Sequence, residues 1–499
     1  MRVAGLASGM DIDMLVNDLM KAERMPLNKL QQDRQWLTWQ RDAYREMNTS
    51  LSSFRNMFLD MRLSSTFNSK VVTSSQEHAV TATANTGVVD GSFSIEVNQL
   101  ASQAINVSTT SITNDGESFD ANASLESQAG ALRGGFEPGT FTVTTYQNGK
   151  AIEETFTVDA EDSLNAVLRR ISNSDLGVRA FYDQTSDRVF IERTETGNHN
   201  EAGFEIEFSG NSFLANTLQL DQSQEQGGQN ALFTYNGIEL TSKTNSYTLN
   251  GLTLNFHGET TGRANIGVQN DVEHAVEKIT DFVNKYNEIV LTFNEKLSET
   301  RHRDYPPLTD EQREEMSESE IEMWEERAMS GLLRNDSTLR SVLSNMRLSV
   351  NAIIDTGNDD INSLATIGIT PSKDYRDNGI LEIDENKLRE ALQTDTDSVR
   401  RIFSNQDESG GIVDRLENNV RRAVRDLTDL AGSAGSTNET HSMGRRLGNL
   451  EDRISAFEQR LVQTESRYYR QFSVMEQAIQ RANMQSMFLM QSFGGFTQQ

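Results

Sequence analysis

The chain has 499 residues, a mean hydropathy of −0.57 and no run of about eighteen apolar residues, which predicts several domains and excludes a membrane-spanning helix. It contains no cysteine, so disulfides, thiolate metal sites and cysteine nucleophiles are excluded. The net charge of −28 lies almost entirely between two near-neutral ends, and so acidic a middle argues against nucleic acid as a partner.

The N-terminal stretch predicts a short helix followed by a long one. It lacks the apolar core of a secretory signal peptide, so we expect no cleaved signal. Ser8 or Asp11 can cap a helix whose apolar positions begin at Ile12. Pro26 is predicted to end that helix, because a proline pushes the preceding residue toward an extended conformation. The second helix then begins near Leu27.

A seven-residue apolar repeat follows in the second helix. Its members are Leu30, Leu37, Tyr44, Leu51 and Phe58. Such a repeat is typical of a helix that packs on a partner through a narrow stripe.

The next part of the chain predicts a β domain with an interruption. Residues 71–107 are rich in Val, Thr and Ile and predict strands, whereas 108–136 predict a loop or hinge. Strand patterns return over 232–268 after a polar linker at 222–229. We interpret the later strands as the return half of the domain that begins at residue 71, with a nested insertion between the halves.

The insertion itself has a compact pattern over residues 139–194. Two strands flank Asn148-Gly149, which is a strong signal for a two-residue hairpin turn. An amphipathic helix after Ser163 and two more strands follow. The sequence therefore predicts a β-β-α-β-β module.

From Asp271 the chain is predicted to be helical again, with a broad apolar face to residue 297 that suits a bundle. A capping box at Thr309 opens a very acidic helix that runs to Arg327. We interpret its glutamates as a solvated face, in preference to a site for a cation or a basic partner. Further predictions are helices over 332–354, 384–392 and 416–430, a hairpin over 367–383, and a flexible joint over 432–442.

The longest repeat runs from Leu447 to Leu489 and predicts a rod that cannot bury its narrow stripe alone. We expect it to pair with the N-terminal helix; the alternative is two amphipathic helices that pack on different cores. Its tail, beyond Ala482, combines methionines and phenylalanines, which make an adaptable apolar surface. That tail either packs within an assembly or binds a changing set of partners.

No catalytic pattern is present. The phosphate-binding loop, the dinucleotide fingerprint, the zinc-protease helix and the calcium loop are all absent. The two carboxylates of a glycosidase need not be close in sequence, so that class alone stays open. We predict that the chain is not an enzyme.

Several stretches resemble the flagellar hook-associated protein 2 family, the filament cap proteins. The first, residues 5–27, contains Gly-Leu-Ala-Ser-Gly-Met-Asp-Ile-Asp. Others are 236–254, 330–336 and 379–384, together with the long C-terminal repeat. The resemblance covers both ends and the second half of the chain, but little of 108–228.

This resemblance and the patterns above predict a multidomain α+β protein. Its parts are paired terminal coiled-coil helices, a helical bundle domain, and two nested β-rich domains inserted between them. The expected boundaries are 1–45 and 443–499 for the coiled-coil leg, 46–70 and 271–442 for the helical bundle, 71–125 and 229–270 for the β-rich domain, and 126–228 for the inserted domain.

The resemblance implies a ring at the filament tip that promotes folding and insertion of exported flagellin and prevents its leakage, without covalent chemistry. The implied partners are flagellin, the hook-filament junction protein, further copies of the chain and a cytosolic export chaperone. The implied location is the flagellum tip, reached through the flagellar type III pathway. The alternative, compatible with capping, is a tip adhesin that binds mucin or another surface through exposed β domains.

Three groups of residues are expected to carry this function, and no catalytic, cofactor or metal residue is expected. The leg seam comprises Leu30, Leu37, Tyr44, Leu51, Leu447, Leu450, Ile454, Phe457 and Leu461. The N-terminal motif that the resemblance assigns to filament or hook contacts comprises Leu6, Ser8, Met10, Asp11, Ile12 and Leu15. The chaperone and assembly tail comprises Met487, Phe488, Leu489, Phe493 and Phe496.

Overall fold

A computed structural model describes residues 10–405 and 410–494, without the side chains of Tyr375 and of 491–494. The chain divides into two compact units. One is built from both chain ends, up to Phe67 and from Val272 onward, and is helical. The other, Asn68–Asp271, is rich in β-strands. The predicted α+β class is confirmed.

The described part of the chain contains eleven α-helices and sixteen strands. The helices are α1 (Ile12–Asp60), α2 (Ser64–Asn68), α3 (Leu164–Ser172), α4 (Val272–Ser298), α5 (Asp310–Glu315), α6 (Glu318–Ala328), α7 (Ser337–Val350), α8 (Glu385–Thr394), α9 (Thr396–Phe403), α10 (Ile412–Ala431) and α11 (Ser442–Gly494). The strands are β1 (Lys70–Ser74), β2 (Val80–Ala84), β3 (Gly91–Gln99), β4 (Gln103–Val107), β5 (Gly139–Gln147), β6 (Lys150–Val158), β7 (Val178–Asp183), β8 (Arg188–Thr196), β9 (Ile206–Gly210), β10 (Ala231–Tyr235), β11 (Ile238–Ser242), β12 (Ser246–Leu249), β13 (Leu252–Phe256), β14 (Ala264–Asn270), β15 (Ile369–Pro371) and β16 (Leu381–Ile383).

The large core of the helical unit lies between the second half of α1 and helices α4, α7 and α10. Phe54 of α1 is fully buried, with its ring centroid 4.7 Å from that of Phe58 and 5.4 Å from that of Phe282. The apolar face predicted for α4 supplies Phe282 and Tyr286 to this core. The bundle is therefore organised around one stretch of α1.

Helix α1 is continuous through Pro26, so the predicted helix end at that residue is wrong. A proline inside a helix lacks the N–H that would donate a hydrogen bond to the carbonyl four residues earlier, here that of Ala22. This destabilises the helix by about 3 kcal/mol. Buried apolar side chains flank it, including Met20 and Leu27. Burial of each stabilises the protein by about 1.5–3 kcal/mol, so packing on both sides outweighs the local break.

The predicted elements after α4 differ in their details. The acidic segment forms two helices, and each has its own capping box, at Thr309 and at Ser317. Helix α7 begins at Ser337, because the carboxylate of Asp336 accepts a hydrogen bond of 2.8 Å from the N–H of Leu339. The hairpin predicted around residue 378 is confirmed as β15 and β16.

The β unit contains two hydrophobic cores. In the first, a five-stranded sheet (β1-β14-β3-β10-β11) and a three-stranded sheet (β12-β13-β2) enclose residues such as Val97, Phe233 and Ile266. Two of its hairpins turn at Asn236-Gly237 and Asn250-Gly251, and all four of these residues have the positive φ that such two-residue turns require. Both halves, before and after the insertion, contribute strands to this core.

The second core lies between helix α3 and two further sheets, β6-β5-β9 and β4-β8-β7. The predicted β-β-α-β-β order is confirmed by β5, β6, α3, β7 and β8. Strand β4 also pairs with β8, and Ile112, Phe119 and Leu125 pack in the same core. The expected loop at 108–136 thus belongs to this core, whereas the four-domain division stays a prediction.

Candidate assembly surfaces on the terminal helices

The two terminal helices pack against each other in antiparallel orientation. The Tyr468 hydroxyl of α11 donates a hydrogen bond of 2.9 Å to the Glu23 carboxylate of α1. Around this bond lies a small hydrophobic cluster with six buried members. They are Ile12, Val16, Met20, Leu27, Ile454 and Leu461. The alternative that these helices pack on separate cores is wrong.

The nine predicted seam residues divide between two cores. Those in or against the small cluster of α1 and α11 are Leu30, Ile454, Phe457 and Leu461. Those in or against the large core of the helical unit are Leu37, Tyr44, Leu51, Leu447 and Leu450. The predicted seam omitted Val16 and Met20 because the first helix was predicted to end at Pro26, and it omitted Leu27 because the repeat was predicted to start at Leu30. Their spacing, which continues the apolar stripe across the proline, was the signal that identifies them.

Tyr44 joins α1 to the start of α7. Its hydroxyl donates a hydrogen bond of 2.6 Å to one carboxylate oxygen of Asp336, whose other oxygen caps α7. Burial of the phenol, and then this carboxylate, raise the pKa of Tyr44 far above its ordinary value. The phenol therefore stays a neutral hydrogen-bond donor at the base of the helix pair.

The predicted joint between α10 and α11 is buried at its two ends, Gly432 and His441, whereas most of the residues between them are exposed. The Arg45 guanidinium donates a hydrogen bond of 2.9 Å to the Ala431 carbonyl. His441 is buried, and its Nδ1 accepts a hydrogen bond of 2.9 Å from the N–H of Gly444. Burial and the neighbouring Arg45 charge lower the pKa of His441. A neutral imidazole thus fills the corner from which α11 departs.

The N-terminal motif is divided between inward and outward positions. Asp11 caps α1, since its carboxylate accepts a hydrogen bond of 2.9 Å from the N–H of Met14. Ile12 is buried against α11, whereas Leu15 is exposed and Met10 is half-buried. The other predicted members, Leu6 and Ser8, lie outside the described residues.

The far end of α11 presents apolar side chains to solvent. The bond between Tyr468 and Glu23 places the start of α1 about level with residue 479, at one residue of α11 for each residue of α1. Beyond that level, Met487, Phe488 and Met490 are 66%, 70% and 74% exposed, and Leu489 is 49% exposed. The Phe493 side chain and Phe496 lie outside the described part of the chain.

Within the described ranges, no group of three or more histidine, aspartate or glutamate side chains is placed to hold a metal ion. In the same ranges, no helix combines the length and the apolar character that a membrane span requires.

Comparison with known proteins gives two family matches. Residues 8–104 match the model of the flagellar hook-associated protein 2 N-terminus, and residues 228–484 match that of its C-terminus. A flagellar hook-associated protein 2 from Halalkalibacterium halodurans is 39% identical over 99% of this chain and 100% of its own length. The Escherichia coli K12 protein of that name is 25% identical over 98% and 97%.

The chain belongs to the flagellar hook-associated protein 2 family. The crystal structure of the flagellar cap protein FliD D1-D2-D3 domains from Escherichia coli shares its fold, with a TM-score of 0.56 and 22% identity over 82% of this chain and 99% of that one. Membership in this family makes the chain a structural protein of the flagellar cap and not an enzyme.

Proposed function

We propose that copies of this chain form a ring at the filament tip that promotes folding and insertion of exported flagellin and prevents its loss to the medium. In this proposal, the leg (1–45 and 443–499) contacts the growing end, and the β-rich unit retains the flagellin subunits. The observation that carries the proposal is the exposed apolar end of α11. An apolar surface of this kind on a polar chain favours contact with other protein.

The contact at the filament end is tested by replacing Met487 and Phe488 with serine in a strain that lacks its own copy of the gene. We expect short or absent filaments and flagellin in the culture supernatant. The control is Leu348→Ser, which removes an equally exposed leucine (69%) from α7, outside the leg. Normal filaments from the Met487 and Phe488 variant would show that this end of α11 is dispensable for capping.

The same tail provides a proposed site for a cytosolic export chaperone before secretion through the flagellar type III pathway. Exposed methionine and phenylalanine side chains favour self-association in the cytosol, and a chaperone would cover them. Methionine is flexible enough to repack against a second partner after export. Calorimetry of the full chain against the chaperone, with and without residues 484–499, tests this. Unchanged affinity after the deletion would remove the proposed site.

The N-terminal motif is the proposed contact with the filament or the hook-filament junction protein. Leu15 is exposed on α1 and is available for such a contact, whereas Ile12 serves the pairing of α1 with α11. Leu15→Ser should therefore weaken binding of the junction protein while leaving the helix pair intact, as measured by pull-down and circular dichroism. Neither the described residues nor the comparisons support the alternative of a tip adhesin.

A further inference from the structure

Two series of opposite charges run along α11 at seven-residue intervals. The basic series is Arg446, Arg453 and Arg460, and the acidic series is Glu451, Glu458 and Glu465. Five of the six side chains are exposed, and Glu465 is half-buried. We call these series the Arg stripe and the Glu stripe.

The stripes lie on opposite flanks of the buried seam of α11. Each arginine directly precedes a buried seam residue, as Arg453 precedes Ile454, and each glutamate follows one by four residues, as Glu458 does. In a seven-residue repeat, these are the two positions that flank the seam and that pair between helices in coiled coils. The stripes are therefore placed to contact a helix beside α11.

The stripes have no ion-pair partner within residues 10–405 and 410–494. Along one helix, opposite charges pair at a spacing of three or four residues, whereas these stripes are offset by two and five. Two ion pairs of α1 join other residues, Arg24 with Glu311 at 3.5 Å and Lys29 with Asp33 at 3.1 Å, so neither pair includes a stripe residue. The Arg460 guanidinium lies 4.4 Å over the Phe457 ring, which holds it close to the seam.

The offset of five residues fits a second helix of the same sequence. When two copies of α11 lie side by side, parallel and level, an arginine on one flank meets the glutamate five residues farther along on its neighbour. This gives three pairs, Arg446 with Glu451, Arg453 with Glu458, and Arg460 with Glu465. In an antiparallel arrangement, arginines would face arginines and glutamates would face glutamates, which is unfavourable.

We propose that the two stripes bind a second copy of this chain, with α11 helices parallel and the Arg stripe of one copy against the Glu stripe of the next. The contact joins two different flanks, so repetition of it closes into a ring when the rotation permits. The inference rests on the proposed ring and names a surface that sets its orientation. Because the pairs are exposed, their contribution is to specificity and register more than to affinity.

The test uses two full-length charge-reversal variants. One carries Arg446→Glu, Arg453→Glu and Arg460→Glu, so both of its stripes are acidic; the other carries Glu451→Arg, Glu458→Arg and Glu465→Arg. Self-association is measured by sedimentation velocity at low ionic strength, where exposed charges are least screened. We expect each variant alone to associate about tenfold more weakly than the wild type, because like charges then face each other. An equimolar mixture should associate again, because every contact between unlike copies then joins an acidic stripe to a basic one.

Two substitutions are matched controls. Arg467→Glu changes an exposed arginine of the same seven-residue spacing, but five residues beyond it stands Phe472, so no pair is lost. Asp452→Arg reverses an exposed charge next to Glu451 that lies on neither flank. Both should associate like the wild type. Circular dichroism establishes that each variant keeps its helices before it is compared.

The outcomes separate this inference from the proposed ring. If both reversal variants associate like the wild type, the stripes are not the contact, and the ring stands without them. If both lose association and the mixture does not recover it, the charges act within the chain, and the inference is wrong. If the wild type itself does not associate at any concentration, the ring proposed above fails as well.

Discussion

Gly432 is the residue at which the chain leaves α10 for α11. Its φ is 74°, and a Cβ added there would lie 2.5 Å from Cδ2 of the buried His441. We predict that Gly432→Ala lowers the free energy of unfolding by about 1–3 kcal/mol, because backbone strain and this contact act together. Gly435→Ala is the matched control: its φ is 83°, but a Cβ there would contact nothing within 4 Å. Urea unfolding of both variants measures the difference, and equal losses would contradict a role for His441.

Asp395 is the residue that starts α9. Its carboxylate accepts hydrogen bonds from the Ser398 hydroxyl at 2.6 Å and the Ser398 N–H at 3.0 Å. These bonds lower its pKa below the ordinary 3.8. A lowered pKa contributes stability above 3.8 that is lost as pH falls through the folded-state value.

We therefore predict that Asp395→Ala destabilises the helical unit by about 1–2 kcal/mol near neutral pH. The difference from the wild type should shrink as the pH falls below 3.8, because the wild-type carboxyl then becomes protonated. Urea unfolding at a series of pH values measures this difference. A difference that does not depend on pH would show that the charge of the cap is unimportant.

At the scale of elements, buried and exposed neighbours on α11 allow a direct comparison. Leu461 is 8% exposed in the cluster with α1, whereas the adjacent Val462 is 64% exposed. Leu461→Asp should separate α1 from α11, because an unpaired charge in an apolar seam costs several kcal/mol. Val462→Asp should leave the pair intact. Filament growth and flagellin in the medium report the result in cells; normal filaments from Leu461→Asp would show that the seam is not needed.

Long periodic elements were predicted from the sequence, and elements that depend on distant contacts were not. The seven-residue repeats identified α1 and α11, and Asn-Gly pairs such as Asn148-Gly149 identified hairpins, because both signals are local. The continuation of α1 through Pro26 depends on packing against α11, some 430 residues away, so a local rule gave the wrong answer. The pairing of β4 with β8 has no local signal either. Helix α9 was not predicted, because eight residues are too few for a clear period. The Asp395 cap before it is a local signal that could have identified it.

Among the candidate site residues, the repeat predicted which side chains face inward but not which core they join. Leu37 and Leu447 belong to the large core, while Ile454 and Leu461 belong to the small cluster of the helix pair. The apolar period is the same in both places, so spacing alone does not distinguish them. The apolar tail was predicted from composition alone. In the structure, its methionines and phenylalanines, such as Phe488, are exposed because they lie past the level at which α1 begins.

At the scale of the whole molecule, the two hydrophobic cores of the helical unit differ greatly in size. The large core joins α1 to α4, α7 and α10, whereas the cluster between α1 and α11 has six buried residues among those described. A small cluster stabilises its helices less, because hydrophobic stabilisation increases with the apolar area buried. Local opening should therefore start in the helix pair.

We predict that limited proteolysis of the dilute monomer cuts first within these helices, N-terminal to Leu37 and C-terminal to Leu450. Leu37 and Leu447 are anchored in the large core, so the chain between them should resist longer. Mass spectrometry of the early fragments locates the cuts. In the assembled ring, contacts between copies and with the filament would protect the same segments, since binding stabilises the state that binds. Helices that resist the protease in the monomer for as long as the large core would show that their pairing is stable without a partner.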